Sequence, residues 1–455
     1  MHGSLSALDL LGAEIAQRSE SGYQTAPVEE ELSRLGGIGR LDEPDAERLL
    51  DALAQTERRA DWSYQEPEGL SAIRASTNWP QAKPFDLDDQ YTATVHRAWS
   101  GRIAGNMLGK PVEFGEDWTP AAIRSFLESQ QAWPLADYFP AVADTGPGHP
   151  DYRENWPETT TGRVDGSSRD DDVDYTILNL HVLRHAGPAF STDDMAAAWL
   201  TMLPYLQTYT AERATIRNLI RGVAPERAAV VDNPYREWIG AAIRADIFGY
   251  VCPGDPGRAA ELAYQDAVLS HVANGVYGEM WCAALIAASF TAADAAEALE
   301  VSLQVVPPRS RLAEAIIGTR DDYAAGLDWE TCRTKIEKAY GHYGWVHTIN
   351  NAAVLTAGLL YGAGSFDRSI GLTVCGGWDT DSNGGTAGSV AGILADDIAG
   401  HWVDPLHDHV RSAVFGYDGS SITELAGHTV AVAAKLRSGS TEPTEPAPGI
   451  PRENW

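Results

Sequence analysis

The sequence predicts an all-α protein, and three observations carry that prediction. Apolar residues recur at helical spacing: Val95, Ala98, Trp99 and Ile103 form one stripe, and Val173, Ile177, Leu180 and Leu183 form another. Runs rich in alanine and leucine return at 191–203, 257–272, 278–289, 292–304 and 351–361. Period-two stretches of β-branched residues are scarce, which favours helix-on-helix layers over an α/β sheet.

Taken in order, residues 1–88 read as a helical N-terminal extension, with short helices such as 5–15 and 45–59 joined by polar segments. Pro80 and Pro84 mark a linker into the main body, 89–437, which is helical nearly throughout. The tail, 438–455, is rich in Ser, Thr and Glu with four prolines and is expected to be disordered. No internal repeat is visible.

Composition narrows the function. The chain of 455 residues is long enough to bury a large core. Its net charge of −30 leaves no basic stripe to displace phosphate counterions, which excludes nucleic acid as the expected partner. No apolar run spans a bilayer, and the start Met1-His2-Gly3-Ser4 lacks a basic signal region. The four cysteines are widely spaced and form no CxxC pair, so reduced thiols in a cytoplasmic protein are expected.

Residues 375–392 carry the clearest chemistry. Asp379 and Asp381, followed at once by Ser382, make a cluster of hard oxygen ligands. Beyond them Gly384, Gly388 and Gly392 recur every four residues, baring one helix face for another backbone to approach. Carboxylates at the mouth of a tightly packed helix suit a rigid cation site.

A second acidic run, Asp170, Asp171, Asp172 and Asp174, stands where a helix over 173–185 begins. Acidic residues in a first turn commonly cap free amides and complement the macrodipole. Four within five residues repel more than capping requires, and a divalent cation would relieve them. Upstream, Gly101, Gly105 and Gly109 again repeat every four residues. Pro111 then stops the helix and throws Glu113 onto a loop. In 270–280, His271, Asn274, Gly275 and Tyr277 read as the wall of a polar pocket. No GxGxxG, Walker, HExxH or GxSxG element appears, and no Cys/His set has zinc spacing.

The order and spacing of these segments, from about 91 to 400, resemble the ADP-ribosylglycohydrolase family. The glycine-spaced helix ending in Pro111-Val112-Glu113 looks like a motif that usually reads Gly-Asp-Ala-Leu-Gly before its Glu. The aspartate run sits where the family carries Thr-Asp-Asp-Thr, and Asp379-Thr380-Asp381-Ser382 is similar to its Asp-Thr-Asp-Thr.

The resemblance implies an orthogonally packed all-α domain with two Mg²⁺ ions (Mn²⁺ as a substitute) on a cleft floor. By carry-over, Asp170, Asp171, Asp379, Asp381 and Ser382 bind the metals, with Asp171-Asp172 as the alternative register. Glu113 and Asp171 take catalytic roles, and Gly109, His271, Asn274, Gly275, Tyr277 and Trp378 lie along the substrate. The implied reaction is hydrolysis of a ribosyl C1 bond, removing ADP-ribose from a modified acceptor.

Some positions depart from the family pattern. Asn106 replaces the usual Asp, Arg169 stands where a Thr is normal, and Trp378 precedes Asp379 where many members have only glycine. Residues 233–246 keep only Gly240 where members that cleave ADP-ribose linkages carry a Gly-Asn-Gly turn. A smaller ribosylated compound or nucleoside is therefore a second substrate class, and a silent ligand-binding member is the third reading.

Overall fold

The computed structural model describes residues 5–445. About 61% of it is helical, and the described residues contain no strands, only isolated bridges such as Trp238–His347. The expected all-α class is the observed one. No described helix is long and apolar enough to cross a membrane. All four cysteines are buried and unpaired.

The body is organised around two helices, Asp89–Gly109 and Thr380–Leu394, which pack backbone to backbone. The glycine repeats make this possible. A Cβ on Gly105 would sit 2.0 Å from the Gly384 carbonyl oxygen, and one on Gly388 would sit 1.9 Å from that of Gly101. At the mouth of the pair, Thr380 Oγ1 donates to the Gly109 carbonyl at 2.8 Å. This contact sets the loop after Gly109, and hence Glu113, against Asp379 and Asp381.

A third helix, Asp171–His185, brings the other acidic run to the same place. Asp170 is its N-cap and accepts from the Asp172 amide at 3.1 Å. Fully buried Arg102 anchors it from below. The guanidinium pairs with Asp246 at 2.9 Å and donates to the carbonyls of Asp172 (2.7 Å) and Ile243 (2.6 Å). Burying such a cation is tolerable only because its donors meet a carboxylate and two carbonyls.

The N-terminal extension has its own small apolar cluster of Leu11, Val28, Ala46, Leu49 and Leu53. It is fastened to the body by a buried polar clasp. Glu237 accepts from Gln17 (2.7 Å), Ser21 (2.6 Å) and Arg311 (2.7 Å), while Glu66 accepts from Arg311 and Asn274, each at 2.8 Å.

The first part of the tail has contacts with the body. Residues 438–445 fold back on the body, with Lys435 Nζ donating to the Pro443 carbonyl and Glu445 pairing with Arg184, both at 2.5 Å. The rest of the tail, 446–455, lies outside the described residues.

Candidate metal and catalytic centre

The three helix ends meet at the floor of a cleft of about 560 Å³. Two carboxylate triads converge there, each with ligand oxygens within 4.8 Å of one another: Glu113, Asp379 and Asp381, and Asp170, Asp172 and Asp381. Asp381 belongs to both. The backbone orients the group, since the Ser382 amide donates to Asp381 Oδ1 at 2.9 Å and the Asp379 amide donates to Asn351 Oδ1 at 3.2 Å. Ser382 Oγ donates to Asp172 Oδ2 at 3.3 Å, tying one helix start to the other.

So many carboxylates out of water resist ionisation. Burial first, and then Asp170, pushes the Asp381 carboxyl up to about 6. Asp379 is raised well above the usual range by burial and by Asp381, and Glu113 is raised by burial and by Asp381 against the pull of Arg153. Asp172 is raised by burial and by Asp170. Asp170 behaves oppositely. Although burial disfavours its charge, Lys110 holds it below the ordinary carboxylate range.

The donor set fits a hard divalent cation. Every ligand is oxygen, the carboxylates lie close enough to share an ion, and the buried Asp172 Oδ1 has no hydrogen-bond partner. A cation would offset the mutual repulsion that now favours protonation.

Sequence reading placed Asp170, Asp379, Asp381 and Glu113 in the centre, and the structure brings all four together. The aspartate register came out differently from either expected pair. Asp170 and Asp172 share a triad, because the N-cap and second helical residue turn toward Asp381. Asp171, between them, lines the cleft but joins neither triad.

The expected substrate-contacting residues are placed elsewhere. Gly109 is a packing position, where a Cβ would meet the Thr380 carbonyl oxygen at 2.2 Å. His271 is buried against Ser270 at 2.7 Å. Asn274 and Tyr277 hold the N-terminal extension, through Glu66 and through the Pro67 carbonyl at 2.6 Å. Gly275 lets the backbone of Arg236 approach. Trp378, at φ 64°, turns away into a separate cavity with Arg333 stacked 4.1 Å over its ring.

The cleft wall comes from the 233–246 segment and from 345–346, which the sequence left unassigned. Trp238, Ile239, Trp345 and Val346 line it, with Tyr209 opposite. The Ile239 amide donates to the Val346 carbonyl at 2.8 Å and pins the two aromatic segments side by side. The other residue without a local sequence signal is Lys110. Its Nζ donates to Asp170 Oδ2 at 2.5 Å and to the Arg169 carbonyl at 2.8 Å.

The family model described as ADP-ribosylglycohydrolase matches residues 87–439. No curated protein matches the sequence. The chain is similar to a solved structure described as an ADP-ribosylglycohydrolase-related protein complex. That likeness has 19% identity and a TM-score of 0.48, and covers 76% of this chain and 99% of that one. With the family match running from the linker through the last described helix, the chain belongs to the ADP-ribosylglycohydrolase family.

Proposed function

We propose that this chain is a Mg²⁺-dependent glycohydrolase that cleaves a ribosyl C1 bond. The single observation that carries the reading is the pair of carboxylate triads sharing Asp381 on the cleft floor. Family membership supports a hydrolase in general. Retention of Glu113 and of both acidic clusters argues for catalysis over a silent binding role.

In this reading Glu113, Asp379 and Asp381 would hold the metal, with Asp170, Asp172 and Ser382 beside it. A cation held by these residues would polarise a water and the ribose hydroxyls. Glu113 sits on the loop at the cleft, where its carboxylate can serve as a ligand and accept a proton from a neighbouring water. Asp171 lines the cleft, where its carboxylate, once ionised beside a bound cation, would favour positive charge developing at C1. Trp238, Trp345 and Tyr209 offer flat apolar walls to a ring.

The family description points to ADP-ribose on an acceptor as the substrate. One observation favours the second class, a ribosylated compound without a diphosphate. Two of the cleft's basic side chains are engaged at hydrogen-bond distance, Lys110 with Asp170 (2.5 Å) and Arg169 with Asp174 (2.6 Å). Only Arg153, 3.8 Å from Glu113 and 37% exposed, is left to receive phosphate oxygens, and the remaining charged lining is acidic.

A release assay over ADP-ribosyl-arginine, ADP-ribosyl-serine and simple ribonucleosides, with Mg²⁺ or with chelator, tests the reading. The expected result is Mg²⁺-dependent release from at least one, with nucleosides preferred. Absence of release from all three would refute catalysis. Release only from the ADP-ribosyl compounds would refute the smaller-substrate class alone.

A further inference from the structure

The two triads differ in one respect that their composition hides. Lys110 sits in a short turn, Lys110–Val112, where Pro111 ends the preceding helix. A lysine at a helix end ordinarily reaches solvent, but this side chain is 4% exposed and its ammonium lies in the acidic centre. Nζ donates to Asp170 Oδ2 (2.5 Å) and to the Arg169 carbonyl (2.8 Å).

Asn106 completes the arrangement. Its amide donates to Asp170 Oδ1 at 3.1 Å and to Asp172 Oδ2 at 3.2 Å, and the Asp172 amide also donates to Asp170 Oδ1. Both oxygens of Asp170 are thus engaged by donors of this chain. A divalent ion among Asp170, Asp172 and Asp381 would have to displace these donors and tolerate a buried ammonium beside it. The Glu113, Asp379 and Asp381 triad has no such internal cation. Arg153 stands 3.8 Å from Glu113 and is 37% exposed, and Lys110 acts on Glu113 and Asp381 through space without a hydrogen bond to either.

We propose that the centre takes one divalent cation, at Glu113, Asp379 and Asp381, and that the Lys110 ammonium fills the charge position of a second. The proposal rests on the reading of these triads as a divalent-cation centre. Lys110 is then a positioning residue, holding Asp170 and Asp172 in place without a metal.

Mn²⁺ titrated into the full chain, followed by calorimetry and by electron paramagnetic resonance, provides the test. One ion per chain is expected, with the uncoupled six-line spectrum of an isolated Mn²⁺ even at saturation. Lys110→Met, checked for folding by circular dichroism, should raise the stoichiometry to two and introduce spin coupling between adjacent ions. Lys110→Arg should keep it at one. Two coupled ions in the unmodified chain would overturn the proposal, whether or not the variants fold. A folded Lys110→Met chain that still binds one ion would do the same. No ion bound at millimolar Mn²⁺ would instead refute the cation centre itself.

Discussion

The two halves of the carboxylate centre share Asp381 and are both built of carboxylates, yet they handle repulsion in different ways. Around Asp170 the chain supplies its own compensation, from Lys110, Asn106 and a helix N-cap amide, and Asp170 is held below the ordinary carboxylate range. Around Glu113 and Asp379 it supplies only Arg153 and Lys110 through space, and both groups are raised well above that range, as Asp172 also is beside Asp170. Compensated charge is part of the scaffold, whereas uncompensated buried charge marks where something from solution belongs. The difference makes the Glu113 side the reactive one.

The largest expected effect comes from the residue both halves share. Asp381→Asn should weaken Mg²⁺ binding by about 100-fold or more and abolish turnover, because it removes a ligand of the ion and the carboxylate that joins that ion to Asp170 and Asp172. Glu113→Gln touches one triad and should cost about tenfold in Mg²⁺ affinity, with a clear loss of turnover. Calorimetric titration of both variants gives the comparison. Equal losses would mean that Asp381 does not bridge the halves.

The contrast also explains what the sequence could reveal. The two glycine repeats were legible as close-packing faces, since three absent side chains at i, i+4 spacing mean little else. That Gly101 and Gly105 pack on Gly388 and Gly384 is a long-range pairing with no local signal. The acidic runs were legible as a cation site, but the register was not, because capping geometry decides whether Asp171 or Asp172 turns inward. Lys110 carried no signal, as lysines near helix ends are usually solvated. The segment 270–277 misled for a related reason. Its polar groups answer to Glu66 and Pro67, in an extension where the sequence showed no chemistry.

A smaller effect separates the halves by pH. The Asp381 carboxyl is raised from 3.8 to about 6, so the folded metal-free chain holds this proton more tightly than the unfolded chain does. The resulting stability is fully present below about pH 4 and is lost as pH rises through about 6, on the order of 2–3 kcal/mol. Metal-free protein should therefore melt at a lower temperature at pH 7.5 than at pH 5. Added Mg²⁺ should restore stability increasingly toward high pH, since it binds only the ionised carboxylates. Thermal melts with chelator and with Mg²⁺ across this range check the sign. Flat melting curves in chelator would mean that the Glu113 side is compensated in a way the geometry does not reveal.

The smallest effect on the metal is expected at Asp171, which stands next to both triads without belonging to either. Burial and then Asp170 raise its carboxyl, while Arg169 opposes them. Its charge reaches the cation only through space, without a bond to it. Asp171→Asn should therefore change Mg²⁺ affinity by less than about threefold while lowering kcat about tenfold or more, through lost stabilisation of positive charge at C1. Calorimetry and steady-state kinetics on the same preparation separate the two quantities. If affinity instead falls as far as in Glu113→Gln, Asp171 is a ligand. The helix start must then turn by one residue on binding, and the uncompensated side of the centre extends past Asp379 to this aspartate.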